Sequence, residues 1–114
     1  MNFSKLEKDV LSWLYEKEED PVIKSQIEAA KPIKRKYTSV GVWVHIDLPG
    51  NVEAVPDEYG DITAIPGPRI NSSNLKCGAE SAIYITNGFL DTLEIFSVKD
   101  NFPEKLDHYE LVGP

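Results

Sequence analysis

The run Ala79-Glu80-Ser81-Ala82-Ile83-Tyr84-Ile85-Thr86-Asn87-Gly88-Phe89-Leu90-Asp91-Thr92-Leu93-Glu94-Ile95-Phe96 decides the fold. Asn and Gly tolerate the positive φ of a tight hairpin turn, and here the pair stands between two β-rich runs. The reading is a two-stranded antiparallel hairpin in which residues 82–86 pair with residues 89–95. A loop of two residues and a loop of three with a bulge both fit, and the choice sets which side chains share a face.

Upstream, Val40, Val42, Val44, Ile46 and Leu48 alternate with Gly41, Trp43, His45 and Asp47. That period makes a strand with one apolar face and one mixed face. Between them and the hairpin, Pro49, Gly50, Pro56, Gly60, Pro66, Gly67 and Pro68 make turns dominate, with one short strand from Ile62 to Ile65. Nearer the start, Ser4 and Glu7 form a capping box ahead of Leu6, Val10, Leu11 and Leu14 at helical spacing. Asp20 and Pro21 suit the cap and first position of a second helix lined by Ile23, Ile27 and Ala30 and stopped by Pro32. The cations Lys31, Lys34, Arg35 and Lys36 read as helix-end charges complementing the dipole. After Phe102-Pro103, the residues Leu106, Tyr109 and Leu111 can tuck a short tail onto the body.

No repeat or linker divides the chain, so a single α+β domain over residues 1–114 is expected. Two N-terminal helices should pack on one face of a three- to five-stranded, mainly antiparallel sheet.

Composition narrows the function. The 114 residues are 41% hydrophobic and 27% charged, the balance of a soluble globular domain. With 12 Lys and Arg against 19 Asp and Glu, the formal charge is −7. Nucleic acid and anionic membrane are therefore poor partners, since both are held mainly by cationic contacts. No apolar run has the length of a signal-peptide core or a spanning helix, and Cys77 is the only cysteine, so a cytoplasmic location is expected. Asn71-Ser72-Ser73 fits a glycosylation pattern that has meaning only in a secretory pathway.

Chemistry can be written down from few residues. Cys77 with His45 and Asp47 or Asp91 would make a thiol triad, yet Leu75-Lys76-Cys77-Gly78 fits no nucleophile motif, and a buried, inert thiol is the simpler expectation. His45 and Asp47 share a strand face as two metal ligands would, but without a paired-cysteine or helical-His pattern beside them. The hairpin carboxylates Glu80, Asp91 and Glu94 are material for acid and base work, or simply outward-facing solubilisers. No catalytic residue, metal or cofactor is assigned.

One charge pattern does point to a partner. Between Lys36 and Arg69 there is no Lys or Arg, while Asp47, Glu53, Asp57, Glu58 and Asp61 lie within that interval beside Trp43, His45 and Tyr59. Amphipathic aromatics among acids suit the core and rim of a protein interface. Trp43, His45, Asp47, Asp57, Glu58, Tyr59 and Asp61 are therefore the candidate partner-binding residues.

Gly78-Ala79-Glu80-Ser81 leading into Ile83-Tyr84-Ile85, then Asn87-Gly88 through Leu93-Glu94-Ile95 to Val98, and then Phe102-Pro103, resembles an arrangement in small bacterial proteins. Some of these resemble immunity proteins encoded beside polymorphic or contact-dependent toxins. The likeness spans roughly residues 77 to 103 and implies stoichiometric blocking of a toxin, with no catalytic set to carry over. The function expected is thus a non-enzymatic binding protein that neutralises a basic partner such as a nuclease toxin domain. A ligand-binding or catalytic domain using His45, Cys77 or the hairpin carboxylates is the alternative, and a self-associating domain that pairs through a strand edge is a third.

Overall fold

A computed structural model of the chain describes residues 1–56, 60–99 and 101–114. Helix α1 spans Lys5–Lys17 and opens on the expected capping box: the Ser4 hydroxyl accepts from the Glu7 N–H at 3.2 Å, and the Glu7 carboxylate accepts from the Ser4 N–H at 2.9 Å. Helix α2 spans Pro21–Ala29 behind Asp20, whose carboxylate accepts from the Val22 N–H at 2.8 Å. None of the helices among the described residues is long and apolar enough to cross a membrane.

The strands are β1 (Lys31–Tyr37), β2 (Gly41–Asp47), β3 (Ile62–Pro66), β4 (Arg69–Asn71), β5 (Ala79–Thr86), β6 (Phe89–Ser97) and β7 (Glu110–Val112). They form one antiparallel sheet in the order β1-β2-β6-β5-β4-β7, with β3 pairing on β5 alongside β4. The α+β class is as expected, but the seven strands among the described residues exceed the three to five read from the sequence. Part of the excess comes from one broken edge. β3 and β4 both lie along β5 and are separated by Gly67 and Pro68, where the Gly67 N–H still donates to the Ser81 carbonyl at 2.9 Å and the Ser81 hydroxyl donates to the Pro68 carbonyl at 2.8 Å. Proline removes a ladder donor, and the Ser81 side chain supplies a substitute bond.

The other correction is β1. Lys31, Lys34, Arg35 and Lys36 do not close a helix; they belong to an edge strand paired with β2. Helix α2 has already ended at Ala29, and Pro32, lacking an N–H, sits without penalty at the start of an edge strand. Strand alternation turns Arg35 inward, where it grips Glu7 of α1 through both guanidinium and carboxylate pairs, one of them at 2.8 Å. Glu7 is only 3% exposed, and its hydrogen bond is the main reason the Arg35 guanidinium is held above its ordinary pKa.

The hairpin resolves its own ambiguity. Thr86 faces Phe89 across a two-residue loop with Asn87 at φ 51° and Gly88 at φ 89°, both in the left-handed region of a type I′ turn. A bulge sits farther in: Tyr84 pairs with Thr92 and Ile85 with Leu90, leaving Asp91 as the extra residue. Inward side chains of β2, β5 and β6, among them Val44, Ile83, Leu93 and Ile95, meet the apolar sides of the helices in one core. Gln26, fully buried on α2, donates to the carbonyls of Glu53 and Gly88 at 2.8 and 2.9 Å and accepts from the Leu90 N–H at 2.7 Å. One amide thereby clamps helix, hairpin turn and the loop after β2. The tail docks as expected: Tyr109 donates to Asp9, which also accepts from Lys5 at 2.8 Å, and these bonds hold the Asp9 carboxyl below the usual range, Lys5 contributing most.

Candidate functional site

Both helices pack on one side of the sheet, so among the described residues no helix covers the other side. Its residues follow from register: Trp43 stands opposite Glu94, His45 opposite Thr92, and Thr92 in turn opposite Tyr84. The Trp43 and Tyr84 rings stack with centroids 5.8 Å apart and planes 28° apart, although β2 and β5 are not adjacent. They therefore meet above β6, which explains why Thr92, on the uncovered side, is only 8% exposed. The Tyr84 hydroxyl donates to Glu94 Oε1 at 2.7 Å. That bond, followed by burial and the negative charge of Glu94, pushes the phenol pKa up to about 12.

Of the residues singled out from sequence, Trp43, His45 and Asp47 share this face in consecutive outward positions of β2, with Trp43 half-buried and the other two exposed. Asp61 is exposed just before β3, at the hairpin-turn end of the sheet, where its carbonyl accepts from the Asn87 N–H at 2.7 Å. Three strand spacings, roughly 14 Å, separate β3 from β2, so Asp61 and Asp47 mark one end of the face without touching. Asp57, Glu58 and Tyr59 lie outside the described residues.

Cys77 is exposed rather than buried. In its loop Leu75 fills the apolar site instead, at 4% exposure, and the turn at Gly78 (φ 72°) leads the chain into β5 with Arg69 donating to the Cys77 carbonyl at 3.1 Å. The start of β5 is about 19 Å from His45 by strand and residue spacing, so the register does not assemble a thiol triad. Among the described residues no three His, Cys, Asp or Glu side chains are grouped to hold a metal ion.

Sequence reasoning missed Tyr84 and Phe96. Together with Arg69, Glu80, Glu94 and Pro114 they line a cleft of about 300 Å³ beside the stacked rings. Arg69 and Glu80 pair loosely across it at 3.4 Å. Glu80 and Glu94 are diagonal neighbours on paired strands, and Glu94 is already engaged by Tyr84. The signal was present in the alternation of Glu80, Ala82 and Tyr84 with Ser81, Ile83 and Ile85. Only the hairpin register, which the sequence left open, tells which residues of β6 join them.

The chain matches no protein-family model, and no curated protein or solved structure matches it.

Proposed function

We propose that this is a non-enzymatic binding protein of the immunity type, which neutralises a basic partner, such as a nuclease toxin domain, on the uncovered face of its sheet in the cytoplasm. The observation that carries the reading is the Trp43–Tyr84 stack, standing on a face that no helix covers. Tryptophan and tyrosine are the side chains most often found to anchor interfaces. Here their rotamers are fixed beforehand by mutual stacking and by the Tyr84–Glu94 bond, which lowers the ordering cost of binding. Glu80 and Glu94 lie beside the rings and Asp47 and Asp61 lie at one end of the face, while Lys31, Lys34 and Lys36 border it along β1, so the acids offered to a cationic surface are those away from that edge.

Affinity capture from the source cells, followed by binding kinetics at low and high salt, tests this. The wild type should retain a basic protein. Asp47→Lys with Asp61→Lys should slow its association about tenfold at low salt and flatten the salt dependence, and Trp43→Ala should mainly speed dissociation. Equal rates for all three chains, or a partner indifferent to salt, would reject the reading.

The cleft beside Phe96 supports a second reading, a small-ligand site built on Glu80, Tyr84 and Glu94. It predicts that Glu80→Gln alters ligand binding while protein capture is unchanged.

A further inference from the structure

The edge strand β1 carries features that the acidic surface does not use, although by register its Lys36 and Lys34 stand beside Trp43 and His45 on the uncovered face. From Ala29 to Ile46 the chain has no Asp or Glu, while Lys31, Lys34, Arg35 and Lys36 give this stretch four cations within a protein of formal charge −7. Arg35 is engaged by Glu7, whereas Lys31, Lys34 and Lys36 are exposed and join none of the ion pairs among the described residues. β1 bonds to β2 on one side, and among the described residues no strand pairs on the other. The Thr38 N–H donates to the Gly41 carbonyl at 2.8 Å, which sets the phase of the ladder. Lys36 and Lys34 then turn their backbone groups toward β2, and Arg35 and Tyr37 turn theirs outward.

Edge strands are commonly blunted by Lys, Pro or a bulge. Pro32 and the irregularity between Pro32 and Lys34 do this for the first half of β1. The second half is regular, and the Tyr37 ring is 72% exposed, with Val40 beyond it at 47%. A purely protective edge gives no reason for large apolar groups beside a regular, unpaired ladder.

We propose that the β1 edge from Lys34 to Tyr37 takes up an extended acidic segment of another protein as an eighth strand. Outward positions of that segment would lie beside Lys34 and Lys36 and favour Asp or Glu; the alternate positions would lie beside Tyr37 and favour apolar residues. A second copy of this chain fits poorly, because β1 against β1 brings together two sets of unpaired lysines. The proposal does not rest on the use of the uncovered face, and either can fail without the other.

The test uses the full-length ¹⁵N-labelled chain with a blocked eight-residue peptide alternating Glu and Val, and a Lys–Val peptide as control. The Glu–Val peptide should slow hydrogen exchange at the Arg35 and Tyr37 amides at least about tenfold at saturation and leave the Lys34 and Lys36 amides, already bonded, unchanged. Its affinity should fall with salt. Lys34→Glu with Lys36→Glu, both at exposed positions, should exchange the peptide preference. Tyr37→Pro, which removes one outward donor and keeps the charges, should lose binding. Absent protection, equal protection by both peptides, or protection that rises with protein concentration in the absence of peptide would each overturn the proposal.

Discussion

β6 and β1 belong to one sheet, separated only by β2, yet they meet opposite surroundings. β6 is bonded on both sides and sends Leu90, Leu93 and Ile95 into the core at 2%, 0% and 0% exposure, without a Lys or Arg along its length. β1 is bonded on one side, holds four cations and has no fully buried residue. β6 is kept in place chiefly by apolar contact, whereas β1 is kept in place chiefly by its ladder to β2 and by Arg35, which pairs with Glu7 of α1 and donates to the Asn2 carbonyl at 2.9 Å. The difference teaches where stability and availability for binding reside in this fold.

The largest expected effect lies at the centre. Leu93→Ala should cost about 3–5 kcal/mol in urea unfolding, because a fully buried leucine on a strand fixed from both sides leaves a cavity that little can fill. The matching change on β1, Ile33→Ala at 60% exposure, should stay within about 0.5 kcal/mol. Similar losses at the two sites would mean that β1 is packed as β6 is.

At β1 the inward Arg35–Glu7 pair should matter more than the strand's exposed apolar residues. Arg35→Met leaves the Glu7 carboxylate buried with only the Ser4 N–H beside it, and should cost about 3 kcal/mol. Adding Glu7→Leu should recover part of that, since two apolar groups need no partner while the Ser4 N–H loses its capping acceptor. If the double variant is as unstable as the single one, the pair is not what fastens β1 to α1.

Gln26 plays the corresponding part for β6, because its amide oxygen receives the Leu90 N–H near the strand's start. Gln26→Leu preserves volume but leaves that N–H and two carbonyl acceptors without their partner, and should cost about 1–3 kcal/mol. Faster hydrogen exchange should be confined to the hairpin turn and the loop after β2.

The same contrast explains what could be read from sequence. Helices α1 and α2 announced themselves through Ser4, Glu7, Asp20 and Pro21, since a cap is a local interaction between neighbours in the chain. β2 and the β5–β6 hairpin were visible because one side of each strand is buried and the other is not, so hydrophobicity alternates. β1 has little buried surface and hence no alternation; its membership is decided by pairing with β2, which lies outside its own residues. Of the candidate site, Trp43, His45 and Asp47 were legible as one strand face. Their meeting with Tyr84 and Glu94 depends on strand order and on a bulge at Asp91, neither of which is encoded locally.

The smallest effect concerns the uncovered face and separates a structural role for Tyr84 from a binding role. Tyr84→Phe keeps the ring that stacks on Trp43 and removes only the hydroxyl donated to Glu94, so near neutral pH it should cost about 1 kcal/mol. The pH dependence has a definite sign. Glu94 and burial raise the folded-state phenol from 10.0 to about 12, so the protonated form is the one the fold favours. The stabilisation is fully present below the unfolded value and is lost as pH rises through the folded value. Urea unfolding of the wild type and Tyr84→Phe should therefore differ by a constant amount from pH 7 to 9, and the wild type's advantage should vanish between pH 10 and 12. Other groups titrating in that range act on both chains alike, so the difference isolates Tyr84. A wild-type advantage that persists above pH 12 would show that the hydroxyl contributes through packing rather than through its proton on Glu94.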